Sequence, residues 1–377
     1  MKTATFALAL VLTAAPAYAQ LGGALGKLNK AKDTADKVKD LKISDADERK
    51  IGEQVSAQLC ETFGVFQDPA VTKYVSLVGN VLAQASSRPN LQWEFIVLDT
   101  DGINAFASPG GLVHITKGAL GLIKNEAELA GVLGHEITHV TEKHTVNSIQ
   151  KSKRVSFVAD QAAKGMTGEL ISQFAQQAYS DLLNNRFDRN DEKQSDTVGI
   201  TLANKVGYAP TGLGVFLTKL SDRAKAANQE EPSGLFASHP QVKDRLDGLT
   251  KVIKDQKLNA TATVAARYTK TITFEAKPMT SIATVAEGSR GLAGSGGGEA
   301  EKKDADKKEG EKKSGGFGLG KLGLTKGSET KSTATVASGG NRGVNPDRDA
   351  VGGPVKTKLQ ITLTPAELDA FRRGIAG

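Results

Sequence analysis

Apolar residues along this chain follow two rhythms. Over most of residues 44–256 they recur every three or four positions, as on a helix that buries one face; in a few short stretches they alternate, as in a strand. Ser44 to Phe63 reads as a helix, with Ser44 as its cap and Asp47 three residues on. Asp68-Pro69 opens a second helix, to about Ser86, with Val71, Val75, Val78 and Leu82 along one face. Asn125 to Ile149 reads as a single helix. Asn125 caps it, Glu126 and Glu128 sit in the first turn where the helix dipole favours acids, and Leu129, Leu133, Ile137 and Val140 form its apolar stripe. Further helices are predicted over Ser152–Ser180 (broken near Gly165 and Gly168), Asn190–Val206, Thr211–Ala226 and Pro240–Lys254. Strands are predicted over Gln92–Asp99, Leu112–Thr116 and Tyr268–Ala276. The Leu112–Thr116 strand follows a Pro109-Gly110-Gly111 turn. It either offers an edge to an extended peptide or closes an ordinary hairpin, and His114 reads as a strand-face residue. Near the end, Leu359, Ile361 and Leu363 alternate before Thr364-Pro365-Ala366-Glu367, the start of a short capped helix. A terminal strand and short helix here could fold back on the 268–276 strand.

Composition divides the chain further. Residues 1–19 look like a secretory signal, with Lys2, an apolar core from Phe6 to Leu12 and Ala17-Tyr18-Ala19 before Gln20. Residues 20–43 read as a helical lead, 44–256 as the main folded domain, 257–286 as an extended or strand segment and 354–377 as a C-terminal strand and short helix. Residues 287–353 are mostly Gly, Lys, Glu, Ser and Ala, too polar to bury a core, and are predicted to be a disordered linker. Such a segment also accounts for a hydrophobic content of only 39% in 377 residues. Nothing after residue 20 is long and apolar enough to span a bilayer, so the expected location is periplasmic or secreted. The net charge of +7 is spread among interleaved acids, and five Tyr and one Trp leave little for base stacking, which argues against nucleic-acid binding. A weak peripheral attraction to anionic envelope surfaces fits the charge. Cys60 is the only cysteine, which excludes an internal disulfide; it reads as a buried small hydrophobe. Gly315 to Leu322 has the spacing of a phosphate-binding loop but ends in Leu322, where a hydroxyl is needed.

The chemistry concentrates in Gly134-His135-Glu136-Ile137-Thr138-His139-Val140. At about 100° per residue, His135 and His139 stand roughly 40° apart, one above the other. Two imidazoles so placed can hold one zinc ion, with Glu136 set to act on a zinc-bound water. A catalytic zinc needs a third protein ligand. Glu192 is the candidate, with Asp196 four residues on to hydrogen-bond a ligand histidine. By spacing alone the two acids read more readily as a solvated pair on a charged helix.

Three motifs in order, Asn104-Ala-Phe-Ala-x-Pro-Gly-Gly, His135-Glu-x-x-His139 followed by His144, and Arg189-x-x-Glu192-x-x-x-Asp196-x-x-Gly199, resemble the HtpX-like zinc metallopeptidases, a family that includes the CAAX prenyl endopeptidases. His239-Pro240 with Arg245 fits as a fourth. The resemblance covers about residues 44–250. It implies an α+β, mainly helical zincin-type metalloprotease domain with a small β-sheet. It also implies one Zn2+ per chain on His135, His139 and Glu192, Glu136 as catalytic base, and Asp196 supporting the site. Thr138 stands where the family often has Gly or Ala, and Ser195 where Ala is usual. The membrane helices of HtpX and the prenyl endopeptidases have no counterpart, which points to the soluble periplasmic members. His239 remains open between an oxyanion donor, a fourth ligand that plugs the zinc and a plain loop histidine; His144 reads as supporting or structural. The expected activity is zinc-dependent endopeptidase action on misfolded or unassembled envelope proteins. The alternative is a latent zinc-site chaperone or assembly factor with little proteolysis.

Overall fold

The computed structural model describes residues 43–151, 166–184, 187–226, 242–278 and 355–375. The signal segment 1–19, almost all of 20–43, the 287–353 linker and His239 lie outside them.

Ser44 accepts a hydrogen bond from the Asp47 amide and starts α1 (Asp45–Phe63). Asp68 accepts from the amides of Ala70 and Val71, and Pro69 opens α2 (Pro69–Ala85). Three strands follow: β1 (Glu94–Leu98), β2 (Ala105–Ser108) and β3 (Leu112–Thr116). They lie in the order β1-β3-β2. β3 runs parallel to β1, with Phe95 opposite Val113, and antiparallel to β2, with Phe106 opposite His114. This places β3 in the middle of the sheet. Both its edges are paired, so the hairpin reading of Leu112–Thr116 holds and an open edge on that strand is ruled out.

A short α3 (Lys117–Leu122) leads to α4 (Glu126–Thr141), which starts at an Asn125 cap bonded to the Glu128 amide. The single helix expected to Ile149 is broken. Lys143 takes a left-handed φ of 57°, and its ammonium pairs with Asp45 at 3.1 Å and Glu48 at 3.0 Å. Helix α5 (His144–Lys151) resumes in a new direction. Helices α6 (Gly168–Asn184), α7 (Arg189–Lys205), α8 (Gly212–Ala226) and α9 (Val242–Asp255) complete the body.

Alternation along β1 sends Phe95 and Val97 into one core and Ile96 and Leu98 into another. The first core includes Val75 of α2, Leu133 and Ile137 of α4, Ile200 of α7 and Phe216 of α8. The second includes Leu59 of α1, Ile149 of α5 and Phe174 of α6. The sheet is therefore buried on both faces, and α4 has no solvent face: even its polar residues Glu126, Glu128, His135, Glu136, Thr138 and His139 are buried. Cys60 is 2% exposed, and burial pushes its thiol pKa up to about 11.

Two expected strands do not form. In 257–286 the described residues give α10 (Ala265–Thr271), entered through Val264 in the left-handed conformation, in place of the Tyr268–Ala276 strand. The buried positions are Tyr268 and Ile272, four apart, which is helical spacing; the Tyr268 hydroxyl donates to the Leu120 carbonyl at 2.6 Å. In 354–377, residues 355–364 run without a strand ladder; the Val65 amide donates to the Val355 carbonyl at 2.6 Å. The end of the chain packs instead through α11 (Pro365–Arg373) against α2: Lys73 pairs with Glu367 at 2.5 Å, and Arg372 donates to Gln84 at 2.9 Å. Among the described residues no helix is long and apolar enough to cross a membrane.

Candidate metal centre

Helices α4 and α7 cross with almost nothing between them. A Cβ placed on Gly199 would stand 2.7 Å from the His135 amide nitrogen, and one on Gly134 would stand 2.7 Å from the Gly199 carbonyl oxygen. Only glycine at both positions allows this approach, and it brings Glu192 of α7 onto the histidines of α4. The Nε2 atoms of His135 and His139 lie 3.1 Å apart. Glu192 Oε2 is 3.7 Å from the first and Oε1 is 3.5 Å from the second. Ligand atoms of all three residues fall within 4.8 Å of one another, and the residues are 3%, 1% and 3% exposed in chain order. Two imidazole nitrogens facing each other beside a carboxylate, out of water, form a donor set that can hold one divalent metal ion.

A second layer of groups orients the first. His135 Nδ1 donates to Asp196 Oδ1 at 3.0 Å, which fixes the ring with Nε2 turned toward His139 and Glu192. Arg245 of α9 donates to both oxygens of Asp196, at 2.8 and 2.6 Å, and lies 3.4 Å from Glu192. Burial on its own would raise the pKa of Asp196. The Arg245 charge and the His135 hydrogen bond outweigh it and hold the carboxyl at about 2. Burial works against the charged form of Arg245 as well, but Asp196 and Glu192 more than compensate, so its pKa is raised. Glu136, next to His135 and 1% exposed, adds its charge to those that favour a charged Arg245. On the other side, His144 Nδ1 lies 3.1 Å from His139 Nδ1, and the Phe187 ring centroid is 4.1 Å from that of His139.

The structure thus brings together His135, His139, Glu192 and Asp196, with Glu136 beside them. His114 stays on the central strand, where its Nε2 meets the Ser56 hydroxyl at 2.9 Å, outside this cluster. Sequence reasoning gave Arg245 no task. The available signal was its place four residues before Leu249: these two are the buried residues of α9, and a buried arginine calls for buried carboxylates.

Two helices thus bring a pair of histidines and a glutamate together as a possible metal site. The chain carries a Peptidase family M48 domain: the profile of that family matches residues 69–253, which contain every group named above except Ser56. The chain is 27% identical over 230 residues to the beta-barrel assembly-enhancing protease of Yersinia pestis, covering 57% of this chain and 46% of that protein. It is 32% identical over 177 residues to the mitochondrial metalloendopeptidase OMA1 of Schizosaccharomyces pombe, covering 46% and 51%. It is also 27% identical over 209 residues to the metalloprotease YcaL of Escherichia coli (strain K12), covering 54% and 78%. The chain spans about half the length of the first two relatives.

Proposed function

We propose that this protein is a zinc-dependent endopeptidase of the cell envelope that hydrolyses misfolded or unassembled envelope proteins. The observation that carries the reading is the buried His135, His139 and Glu192 donor set with Glu136 adjacent, inside a Peptidase family M48 domain. A bound zinc ion supplies a Lewis acid and an acidified water at neutral pH. The remaining work falls to the chain. His135, His139 and Glu192 hold the ion, and Asp196 keeps the His135 proton on Nδ1. The Glu136 carboxylate takes a proton from water and returns it to the nitrogen of the leaving amine. For His239 the proposed role is a donor to the oxyanion, with a plug on the metal or a plain loop histidine as the rival roles. The envelope location rests on the signal pattern of residues 1–19, and the substrate class on the resemblance to soluble periplasmic members.

Burial favours one variant of this reading. Glu136 and His139 are each 1% exposed, which supports a latent resting form. An assembly factor or chaperone with little proteolysis is the limit of that behaviour.

The test is cleavage of an unfolded protein by the mature chain beside Glu136→Gln, with zinc measured in both. Zinc in both and cleavage only by the parent supports the endopeptidase. Zinc in both with no cleavage by either supports the latent form, which His239→Ala should then release. Absence of zinc from both would refute the proposal.

A further inference from the structure

We infer that His144 is a positioning residue that sets the tautomer of His139, so that His139 turns a lone pair on Nε2 toward the metal. This rests on the zinc reading of the site above. The hydrogen-bond relay begins at the Glu142 carboxylate. Gln194 Nε2 donates to Glu142 Oε2 at 2.7 Å. An ionised carboxylate only accepts, so the amide of Gln194 is fixed with its NH2 toward Glu142 and its oxygen toward His144. That oxygen, Oε1, lies 3.2 Å from His144 Nε2. An amide oxygen also only accepts, so the His144 proton sits on Nε2. Asp191 Oδ1, 3.6 Å from the same nitrogen, favours the same tautomer.

A neutral imidazole carries one N–H, so His144 Nδ1 is an acceptor. It faces His139 Nδ1 at 3.1 Å, with the Ser195 hydroxyl at 3.4 Å as a second donor. His139 must therefore place its own proton on Nδ1. Its Nε2 then bears a lone pair, aimed at the point it shares with His135 Nε2 and Glu192. The break at Lys143 makes this possible. In an unbroken helix a residue five positions after His139 would point elsewhere, whereas α5 restarts at His144 and lays its ring edge-on to His139, with centroids 4.9 Å apart. The two ligand histidines are thus oriented by different chemistry: His135 by the Asp196–Arg245 ion pair, and His139 by a relay through His144 and Gln194 to Glu142.

Two measurements on the full mature chain test this. The first is nitrogen NMR of the histidine rings in the zinc-free protein at pH 8. The expected result is a proton on Nδ1 of His139 and on Nε2 of His144; His139 protonated on Nε2 would overturn the inference whether or not zinc binds. The second is zinc affinity by chelator competition, with thermal unfolding of each zinc-free variant alongside. His144→Asn keeps an acceptor where Nδ1 stood, His144→Gln moves the polar end toward Gln194, and His144→Leu offers none. Loss of an orienting partner weakens metal binding by about 10–100-fold, the drop expected for His144→Leu and His144→Gln, while His144→Asn should stay within about threefold of the parent. Rescue by Asn but not by Gln is not expected from a residue that merely fills space. Parent-like affinity of His144→Leu, or equal losses in Asn and Leu, would overturn the role of His144 and leave the zinc site standing. A parent that binds no zinc would instead overturn the function proposed above.

Discussion

Arg245 reaches from α9 to grip Asp196 with two hydrogen bonds, at 2.8 and 2.6 Å, while its remaining nitrogen lies 3.4 Å from Glu192. Glu192 and Asp196 are one turn apart on α7, and both are buried. Without a cation between them, two carboxylates on one helix face would have to share a site out of water. Arg245 puts a guanidinium between them, and its charge helps hold the Asp196 carboxyl at about 2.

Removing that cation should therefore be costly. Arg245→Met leaves Asp196 buried without its main partner, and breaking a buried pair in this way costs about 3–5 kcal/mol. Urea unfolding of the zinc-free protein should show the loss. Arg245→Lys should recover only part of it, because one ammonium cannot reproduce the two-pronged contact.

The crossing of α4 and α7 gives a second expectation. Gly199→Ala would place a methyl 2.7 Å from the His135 amide and force the helices apart. Overpacking of this kind costs about 1–3 kcal/mol. It should also weaken zinc binding, since the ligands sit on opposite sides of the crossing. Equal zinc affinity in parent and variant would show that the crossing does not set the ligand spacing.

The helix with His135 and His139 was legible from local spacing, the two four apart behind the Asn125 cap, whereas Glu192 and Asp196, also four apart, stood out from a solvated pair only through the family resemblance. What was not legible is long-range. The break at Lys143 depends on Asp45 and Glu48, nearly a hundred residues earlier in the chain, and neither can be read from the run Val140–Thr145. The alternation across Tyr268–Ala276 looked like a strand. Tyr268 belongs to a helix that Ile272 ends, fixed where Tyr268 finds the Leu120 carbonyl and Arg267 finds Glu126. Arg245 was visible as a motif letter, but its role needs the fold that brings α9 to α7.

His114 makes stability depend on pH in the mildly acidic range. Burial is the main cause that holds its pKa down to about 3; the charge on Lys358 adds to this, and a hydrogen bond to the Phe106 backbone opposes it. The unfolded chain takes up this proton near pH 6.5, the folded one near 3. The stability contributed by a neutral His114 is thus complete above about pH 6.5 and is lost as pH falls toward about 3. Over that window the loss approaches about 1.4 kcal/mol per pH unit. His114→Gln cannot titrate, so its stability deficit relative to the parent should shrink between pH 7 and pH 5 in urea titrations. A constant deficit would count against this account.

Helix α11 should be part of the domain's stability. Phe371 is 9% exposed, packs edge-on to Tyr74 at 6.0 Å and lies under the Arg267 guanidinium at 3.9 Å. Truncating such an aromatic costs about 3–5 kcal/mol. Phe371→Ala should lower the melting temperature by several degrees, and calorimetry should still show one transition, because the ring belongs to the same core as α4.

That packing sets an order in time. The hydroxyls of Tyr74 and Tyr208 donate to Glu126, at the start of α4, at 2.7 and 2.8 Å. Glu126 is also paired with Arg267, which is roofed in turn by Phe371, and Ile375 is 2% exposed in the same core. Synthesis runs from the N-terminus, so both histidines and Glu192 leave the ribosome well before the residues that close the core beneath them. The helix that carries the metal ligands therefore has its full support only once residues 365–375 have been made. A nascent chain thus holds His135, His139 and Glu192 before the packing around Glu126 is complete.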